Sequence, residues 1–147
     1  MLNRQPLRIR SKSTERLAAE VQRLAGPSVH TIDMSDNLMP QLPNLRPLCH
    51  TREVRIGSNL LTSLPESIRL LSCLTALHVP RNGIGAQGAA ALAPAAAASG
   101  TLRLLDLSLN EIGDEGVCAL ARAFGEAGAG GAGGDDDAGL TALSLTA

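Results

Sequence analysis

The chain has 147 residues, of which 44% are hydrophobic and 18% are charged. This length suits a single domain, and this hydrophobic fraction is enough to bury a core. The core must be aliphatic, because the chain has no Trp or Tyr and only one Phe. The formal net charge of −1 at pH 7 gives no global case for a nucleic-acid partner.

Residues 1–12 contain Arg4, Arg8, Arg10 and Lys12 and no acidic residue. This start lacks the apolar segment of a signal peptide, and no stretch of the chain reaches the roughly 18 apolar residues of a membrane span. Three scattered cysteines form neither a disulfide framework nor a zinc pattern. We therefore expect a flexible basic tail over residues 1–12, no membrane span and a cytoplasmic location.

An amphipathic helix is predicted next. Leu17, Val21 and Leu24 follow one another at the spacing of a single helix face, and Gly26-Pro27 provides a stop signal. We assign residues 13–27 to a helix that caps the N-terminal side of the segment that follows.

One pattern then recurs over residues 28–147. Apolar residues fill its fourth, sixth and eleventh positions, and Asn fills its ninth position. Residues two apart, such as Leu105 and Leu107, point to the same face of a short strand. Four complete copies cover residues 29–39, 51–61, 74–84 and 102–112, and their ninth positions hold Asn37, Asn59, Asn82 and Asn110.

This pattern resembles the L-x-x-L-x-L-x-x-N-x-L signature of the leucine-rich repeat family. The resemblance covers about four and a half repeats, because a last copy, LTALSLTA, begins at Leu140. It implies an α/β solenoid with short parallel strands on its concave face. It also implies that the four asparagines bond the backbone of neighbouring turns and stack into a ladder.

The convex side is predicted to change along the array. The early copies continue as LPNLRPL and LPESIRLL, which resemble the short repeat class with irregular or 3-10 turns. The later copies continue as IGAQGAAALAPAA and IGDEGVCALARAF, which resemble the longer, ribonuclease-inhibitor-like class with a convex helix. The chain is thus predicted to be a hybrid. Pro94 is expected to kink or end the first of these helices.

Gly83, Gly85 and Gly88 spell the G-x-G-x-x-G motif of a dinucleotide-binding loop. A nucleotide-binding enzyme is therefore one hypothesis. However, Gly85 and Gly88 recur one repeat later as Gly113 and Gly116, so we interpret them as repeat residues that allow tight turns and close helix packing.

The end of the array contains an insertion. Residues 125–139 are rich in Gly, Ala and Asp and are predicted to form a low-complexity loop. The last copy stops before its Asn, which leaves Leu143 and Leu145 in an open final strand. We expect either a fragment of a larger protein or a strand that supports self-association.

Motifs for catalysis are missing from the sequence. It has no HExxH, GxSxG or P-loop pattern, and the histidines, including His78, lack metal-ligand spacing. We therefore predict no enzymatic activity, no catalytic residues, no cofactor and no metal.

The concave face is the usual protein-binding surface of the family. In a parallel stack, the third, fifth and seventh positions of each copy project from this face. The predicted binding residues at these positions are Thr31, Asp33, Ser35, Glu53, Arg55, His78, Leu104, Asp106, Ser108 and Ser144. The resemblance implies a non-enzymatic scaffold whose partner is another protein.

An alternative function comes from one copy, NEIGDEGVCALARAF, which resembles repeats of Ran GTPase-activating proteins and of the sensing domains of immune receptors. The alternatives are therefore a regulator of a small GTPase, with the GTPase as its partner, or a sensing repeat segment of the immune-receptor type.

Overall fold

The computed structural model describes residues 7–10, 13–24, 26–129 and 140–146. Its centre is one parallel sheet of six short strands, which lie side by side in chain order. The strands are β1 (Leu7–Arg8), β2 (Thr31–Asp33), β3 (Glu53–Arg55), β4 (Ala76–His78), β5 (Leu104–Asp106) and β6 (Ala142–Ser144).

One convex element connects each strand to the next. The five connections are α1 (Thr14–Leu24), two 3-10 turns (Arg46–Leu48 and Glu66–Leu70), α2 (Ala86–Ala97) and α3 (Gly113–Ala129). The predicted fold class is confirmed: the protein is an α/β solenoid with parallel strands on one side. On the other side, helix α1 is followed by the two 3-10 turns and then by helices α2 and α3.

The strand register aligns equivalent positions of successive repeats. Ile32 lies beside Val54, Val54 beside Leu77, and Leu77 beside Leu105. The middle residue of each of these strands is buried and its two neighbours are more exposed. The alternation follows from the pleat of a strand, which sends successive side chains to opposite faces.

The core is a stack of the three apolar positions of the repeat. All of these residues are buried in the four complete copies: Ile32, Met34, Met39, Val54, Ile56, Leu61, Leu77, Val79, Ile84, Leu105, Leu107 and Ile112. Thr51 occupies the first position of its copy and is also buried. Its Oγ1 donates a hydrogen bond to the carbonyl of Val29 at 3.3 Å, which satisfies the hydroxyl inside the core.

The asparagines join each turn of the solenoid to the preceding one. Asn59 Nδ2 donates to the carbonyl oxygens of Met34 at 3.0 Å and Ile56 at 3.1 Å, and Asn59 Oδ1 accepts the N–H of Met39 at 3.1 Å. Asn82 and Asn110 make the same set of contacts one and two repeats later. These bonds span turns where the strands no longer pair.

The N-terminal segment differs from the prediction. Residues 7–10 are not a flexible tail, because β1 pairs with β2 and the side chain of Ile9 is buried. The carbonyl of Ile9 accepts a hydrogen bond from Asn37 Nδ2 at 2.9 Å, as Met34 does from Asn59. Leu7 and Ile9 therefore occupy the fourth and sixth positions of an additional, incomplete repeat. Residues 1–6 and 11–12 lie outside the described residues.

Helix α1 lies within the array rather than before it. It connects β1 to β2, the place that a 3-10 turn occupies in the next repeat. Leu17 and Val21 are fully buried, as their spacing predicts. The predicted boundary between a capping helix over 13–27 and an array that begins at residue 28 is therefore not observed: the stacked strands begin with β1.

The two later helices also run further than predicted. Helix α2 continues through Pro94 to Ala97, and the carbonyl of Pro94 accepts the N–H of Ala98 at 3.0 Å. Pro94 has no N–H for the carbonyl of Ala90, but both residues are exposed, so water can take the place of that donor. Helix α3 reaches Ala129, five residues into the predicted loop over 125–139. The rest of that loop, 130–139, lies outside the described residues.

Two of the recurring glycines lie where the repeats touch. A Cβ on Gly88 would collide with the carbonyl oxygen of Thr62 in the preceding repeat, and a Cβ on Gly116 would lie 3.1 Å from Cα of Ala86 in the preceding repeat. Both residues are buried, Gly88 in the first turn of α2 and Gly116 in the first turn of α3. These glycines are thus explained by close packing between repeats.

Candidate functional site

The exposed sides of β1–β6 form one surface, which we call the concave face. It consists of the outward side chains of the strands and of the residues that follow each strand at the seventh repeat position. All ten predicted binding residues lie on it: Thr31, Asp33, Ser35, Glu53, Arg55, His78, Leu104, Asp106, Ser108 and Ser144. The parallel register brings them together from five different strands.

A first charged group lies at the N-terminal end of this face. Arg8 Nε is 3.6 Å from Asp33 Oδ2, and Arg8 Nη2 is 3.2 Å from Asp36 Oδ2. This role of Arg8 was not predicted, because residues 1–12 were assigned to a flexible tail. The alternation of Leu7 and Ile9 around Arg8 is the signal that could have revealed it.

A second charged group lies in the middle of the face. Arg55 Nη2 is 2.7 Å from Glu53 Oε1, so the Glu53 carboxylate has a matched arginine on its own strand. His78 Nε2 lies 3.5 Å from the same carboxylate oxygen. On its other side, His78 Nδ1 lies 3.9 Å from Asp106 Oδ2. His78 therefore separates two acidic side chains and is charged only when it is protonated.

Asp106 is fixed by hydroxyl and backbone donors. Its Oδ1 accepts the backbone N–H of Ser108 at 3.0 Å and also the Ser108 hydroxyl. The Ser108 hydroxyl lies 2.6 Å from that of Ser144. Asp33 and Ser35 form the same backbone bond three repeats earlier, at 3.0 Å. Beside Asp106, residues of β4–β6 line a shallow, open concavity of about 380 Å³.

Three exposed leucines in the turns that follow the strands were not predicted. Leu38 and Leu60 each follow the repeat asparagine and are 72% and 56% exposed, and Leu109 precedes an asparagine and is 44% exposed. These sites are variable in the repeat signature, so the pattern places no constraint on them. Leucine at such a site is the signal that could have identified them.

Among the residues that the structure describes, no cluster of three His, Cys, Asp or Glu side chains has the arrangement of a metal site. Cys49 and Cys73 are half-buried, whereas Cys118 is exposed on α3. A hydrogen bond to Glu20 raises the pKa of Arg23, but both residues lie on α1, away from the concave face. None of the described helices is long and apolar enough to span a membrane.

Comparison with known protein families gives one match, to a family described as Leucine Rich repeat, over residues 71–93 and 99–121. These two segments contain β4 and β5 with the starts of the helices that follow them. The chain is a leucine-rich repeat protein. No curated protein and no solved structure matches the chain. As a leucine-rich repeat protein, it belongs to a class that typically mediates protein–protein interaction.

Proposed function

We propose that this leucine-rich repeat protein is a non-enzymatic scaffold of the cytoplasm that binds another protein through its concave face. The observation that carries the proposal is the continuous face formed by six parallel strands. On that face, polar and charged side chains from successive repeats lie next to one another and remain accessible. A parallel stack of repeats gives a partner a regular row of contact residues.

The size of the face sets a condition on the interface. Six strands about 4.8 Å apart span about 24 Å, and three-residue strands are about 10 Å long. The strand surface is thus on the order of 240 Å² in projection, whereas a standard interface buries about 800 Å² on each partner. A partner must therefore also contact the loops that border the strands.

The exposed leucines in the turns that follow the strands supply additional contact area for a partner. Leu38 and Leu60 occupy the same position in consecutive repeats, and both project largely into solvent. Protein interfaces commonly combine apolar and polar contacts. Here the leucines would bury apolar area, and the charged strand residues would make polar contacts that fix the orientation of the partner. We propose that the partner covers these leucines and the adjoining end of the concave face together.

A steric block tests the proposed function. Ala76 lies half-exposed in the middle of the concave face, and Ala90 lies exposed on α2 on the convex side. In affinity purification with quantitative mass spectrometry, Ala76→Trp is expected to lose proteins that the wild-type chain and Ala90→Trp retain. Circular dichroism verifies that both variants fold. Equal retention by the two variants would contradict a concave binding face.

A further inference from the structure

We propose that the concavity beside Asp106 receives an arginine side chain of the protein partner. We call this concavity the arginine seat, and define it by His78, Leu104, Asp106, Ala142 and Ser144. As a property of the concave face, the seat rests on the proposed function of that face. Two observations support the proposal. In the part of the chain that the structure describes, Asp106 lacks the arginine partner that the other strand carboxylates have, and the residues that line the concavity suit a guanidinium group.

Three acidic residues lie on the strands of the concave face, and two of them have an arginine partner. Asp33 Oδ2 is 3.6 Å from Arg8, and Glu53 Oε1 is 2.7 Å from Arg55. For Asp106, the only basic side chain within 4.0 Å among the described residues is His78, at 3.9 Å. Because an imidazole is charged only when protonated, Asp106 lacks the permanent cation that the other two carboxylates have.

The carboxylate of Asp106 is also held in place. Its hydrogen bonds to Ser108 both fall on Oδ1. Within the described part of the chain, no hydrogen bond is made to Oδ2, the oxygen nearer His78. The side chain is only 25% exposed, so its charge is partly shielded from water and attracts a cation more strongly than a fully solvated carboxylate does. A fixed, partly shielded acceptor loses little conformational freedom when a donor binds.

The lining of the seat favours a guanidinium group. Leu104 and Ala142 are neighbours on β5 and β6, at the third repeat position, and present apolar surface beside the carboxylate. A guanidinium group is flat, is weakly hydrated, and carries its N–H donors around its edge. It can donate to Asp106 Oδ2 while one flat face rests against Leu104 and Ala142. A lysine ammonium group is more strongly hydrated and has no flat face to pack.

Titration with a small probe tests the seat without a partner. The ¹⁵N-labelled chain is titrated with Nα-acetyl-arginine amide and, separately, with Nα-acetyl-citrulline amide, which has a similar shape but no charge. We expect the arginine probe to shift the backbone amides of Asp106, Ser108 and Ser144 in a saturable manner. The citrulline probe is expected to leave them unshifted at the same concentrations.

Two aspartates provide a matched pair of variants. Asp106 and Asp33 both occupy the fifth repeat position, and each accepts the backbone N–H of the serine two residues later. An asparagine preserves that acceptor in both cases, so Asp106→Asn and Asp33→Asn remove only the charge. We expect Asp106→Asn to lower the affinity for the arginine probe about tenfold or more, because a hydrogen bond to a charged group becomes a neutral one. Asp33→Asn is expected to bind as the wild type does.

A second variant keeps the seat testable if Asp106→Asn fails to fold. Leu104→Lys places an internal cation two residues from Asp106 on the same face, and it leaves the carboxylate in place. We expect this variant to lose the response to the arginine probe. Equal shifts with citrulline, a loss with Asp33→Asn as large as with Asp106→Asn, or a full response in Leu104→Lys would overturn the arginine seat.

The seat and the proposed function fail in different ways. If Ala76→Trp loses a protein partner but the arginine probe gives no specific shifts, the concave face binds protein and the seat is wrong. If the probe binds at Asp106 but Ala76→Trp loses no partner, the seat exists and the proposed function is wrong.

Discussion

At the scale of single residues, the repeat asparagines link successive turns of the solenoid. Each of these side chains bonds carbonyl groups of two successive turns beyond the ends of the strands, alongside backbone bonds such as the one from the N–H of Asp36 to the carbonyl of Gly57 at 3.0 Å. Asn37 and Asn59 are buried, so water cannot replace the missing partners if the amide is removed.

Asn59→Ala tests this contribution. We expect it to lower the free energy of unfolding by about 2–4 kcal/mol, because buried donors and acceptors lose their partners. Urea titration followed by circular dichroism measures the change. Asn44→Ala is the control, since Asn44 is exposed and, among the described residues, its side chain bonds only the backbone N–H of Arg46. A loss equal to that of the control would refute a structural role for the ladder.

Leu38 has an unfavourable backbone conformation as well as an exposed side chain. Its φ is +54°, in the left-handed region, where an L-residue other than Gly, Asn or Asp is rare. Asp36, Ser58, Arg81 and Leu109 share a positive φ because each directly precedes a repeat asparagine, where the chain turns. Leu38 follows the asparagine, and its counterpart Leu60 does not have a positive φ.

We expect Leu38→Asn to raise the free energy of unfolding by about 0.5–1 kcal/mol, because left-handed backbone costs leucine roughly 1–2 kcal/mol and costs asparagine less. Leu60→Asn is the matched control: the same change at the same repeat position, without the left-handed backbone, gives no gain. Thermal or urea unfolding measures the change in the free energy of unfolding for each of the two variants. A gain at both sites would show that φ is not the cause.

Some residues of the site could be predicted and others could not. The columns of the concave face follow from the period of two in a strand, so Asp33, His78 and Asp106 were placed correctly on one face. Which charges pair was not predictable, because pairing depends on side-chain rotamers and on Arg8, whose strand was unknown. Leu38 and Leu60 stand at variable positions, where the pattern carries no information.

At the scale of elements, the contact between a helix and the preceding repeat depends on glycine. In most helix interiors, Gly is less stable than Ala because of its greater freedom in the unfolded chain. At Gly88 this preference is reversed, since a Cβ would lie 2.2 Å from a backbone oxygen of Thr62.

Gly88→Ala is therefore expected to destabilise the chain by about 2–3 kcal/mol through overpacking. Gly125→Ala provides a control in α3, where a Cβ would meet nothing within 4 Å. We expect that change to stabilise the chain by about 0.5–1 kcal/mol, the usual difference between the two residues in a helix. Calorimetric melting of both variants measures the contrast, and the same sign of effect at both sites would contradict close packing at Gly88.

The differences between the predicted and the observed elements have physical causes. Strand β1 has only the fourth and sixth positions of the repeat and lacks the asparagine, so a pattern that requires Asn does not detect it. Pro94 did not end α2 because the carbonyl of Ala90, which loses its N–H donor, belongs to an exposed residue that water can reach. The change from 3-10 turns to helices was predictable, because the length and composition of the convex segments change with it.

At the scale of the whole molecule, stability comes from stacking, and the proposed function depends on it too. No repeat buries its apolar positions alone, and the proposed binding face exists only where several strands lie side by side. The solenoid was predictable because its pattern recurs four times. The partner was not, because partner choice depends on side chains at the variable positions.

Site-specific photo-crosslinking measures the binding face most directly. A benzophenone amino acid is placed at Ala76 on the concave face or at Ala90 on the convex helix, and each chain is irradiated in cells and analysed by mass spectrometry. We predict that the probe at Ala76 captures a protein that the probe at Ala90 does not. Capture of the same protein at both positions, or only at Ala90, would contradict binding through the concave face.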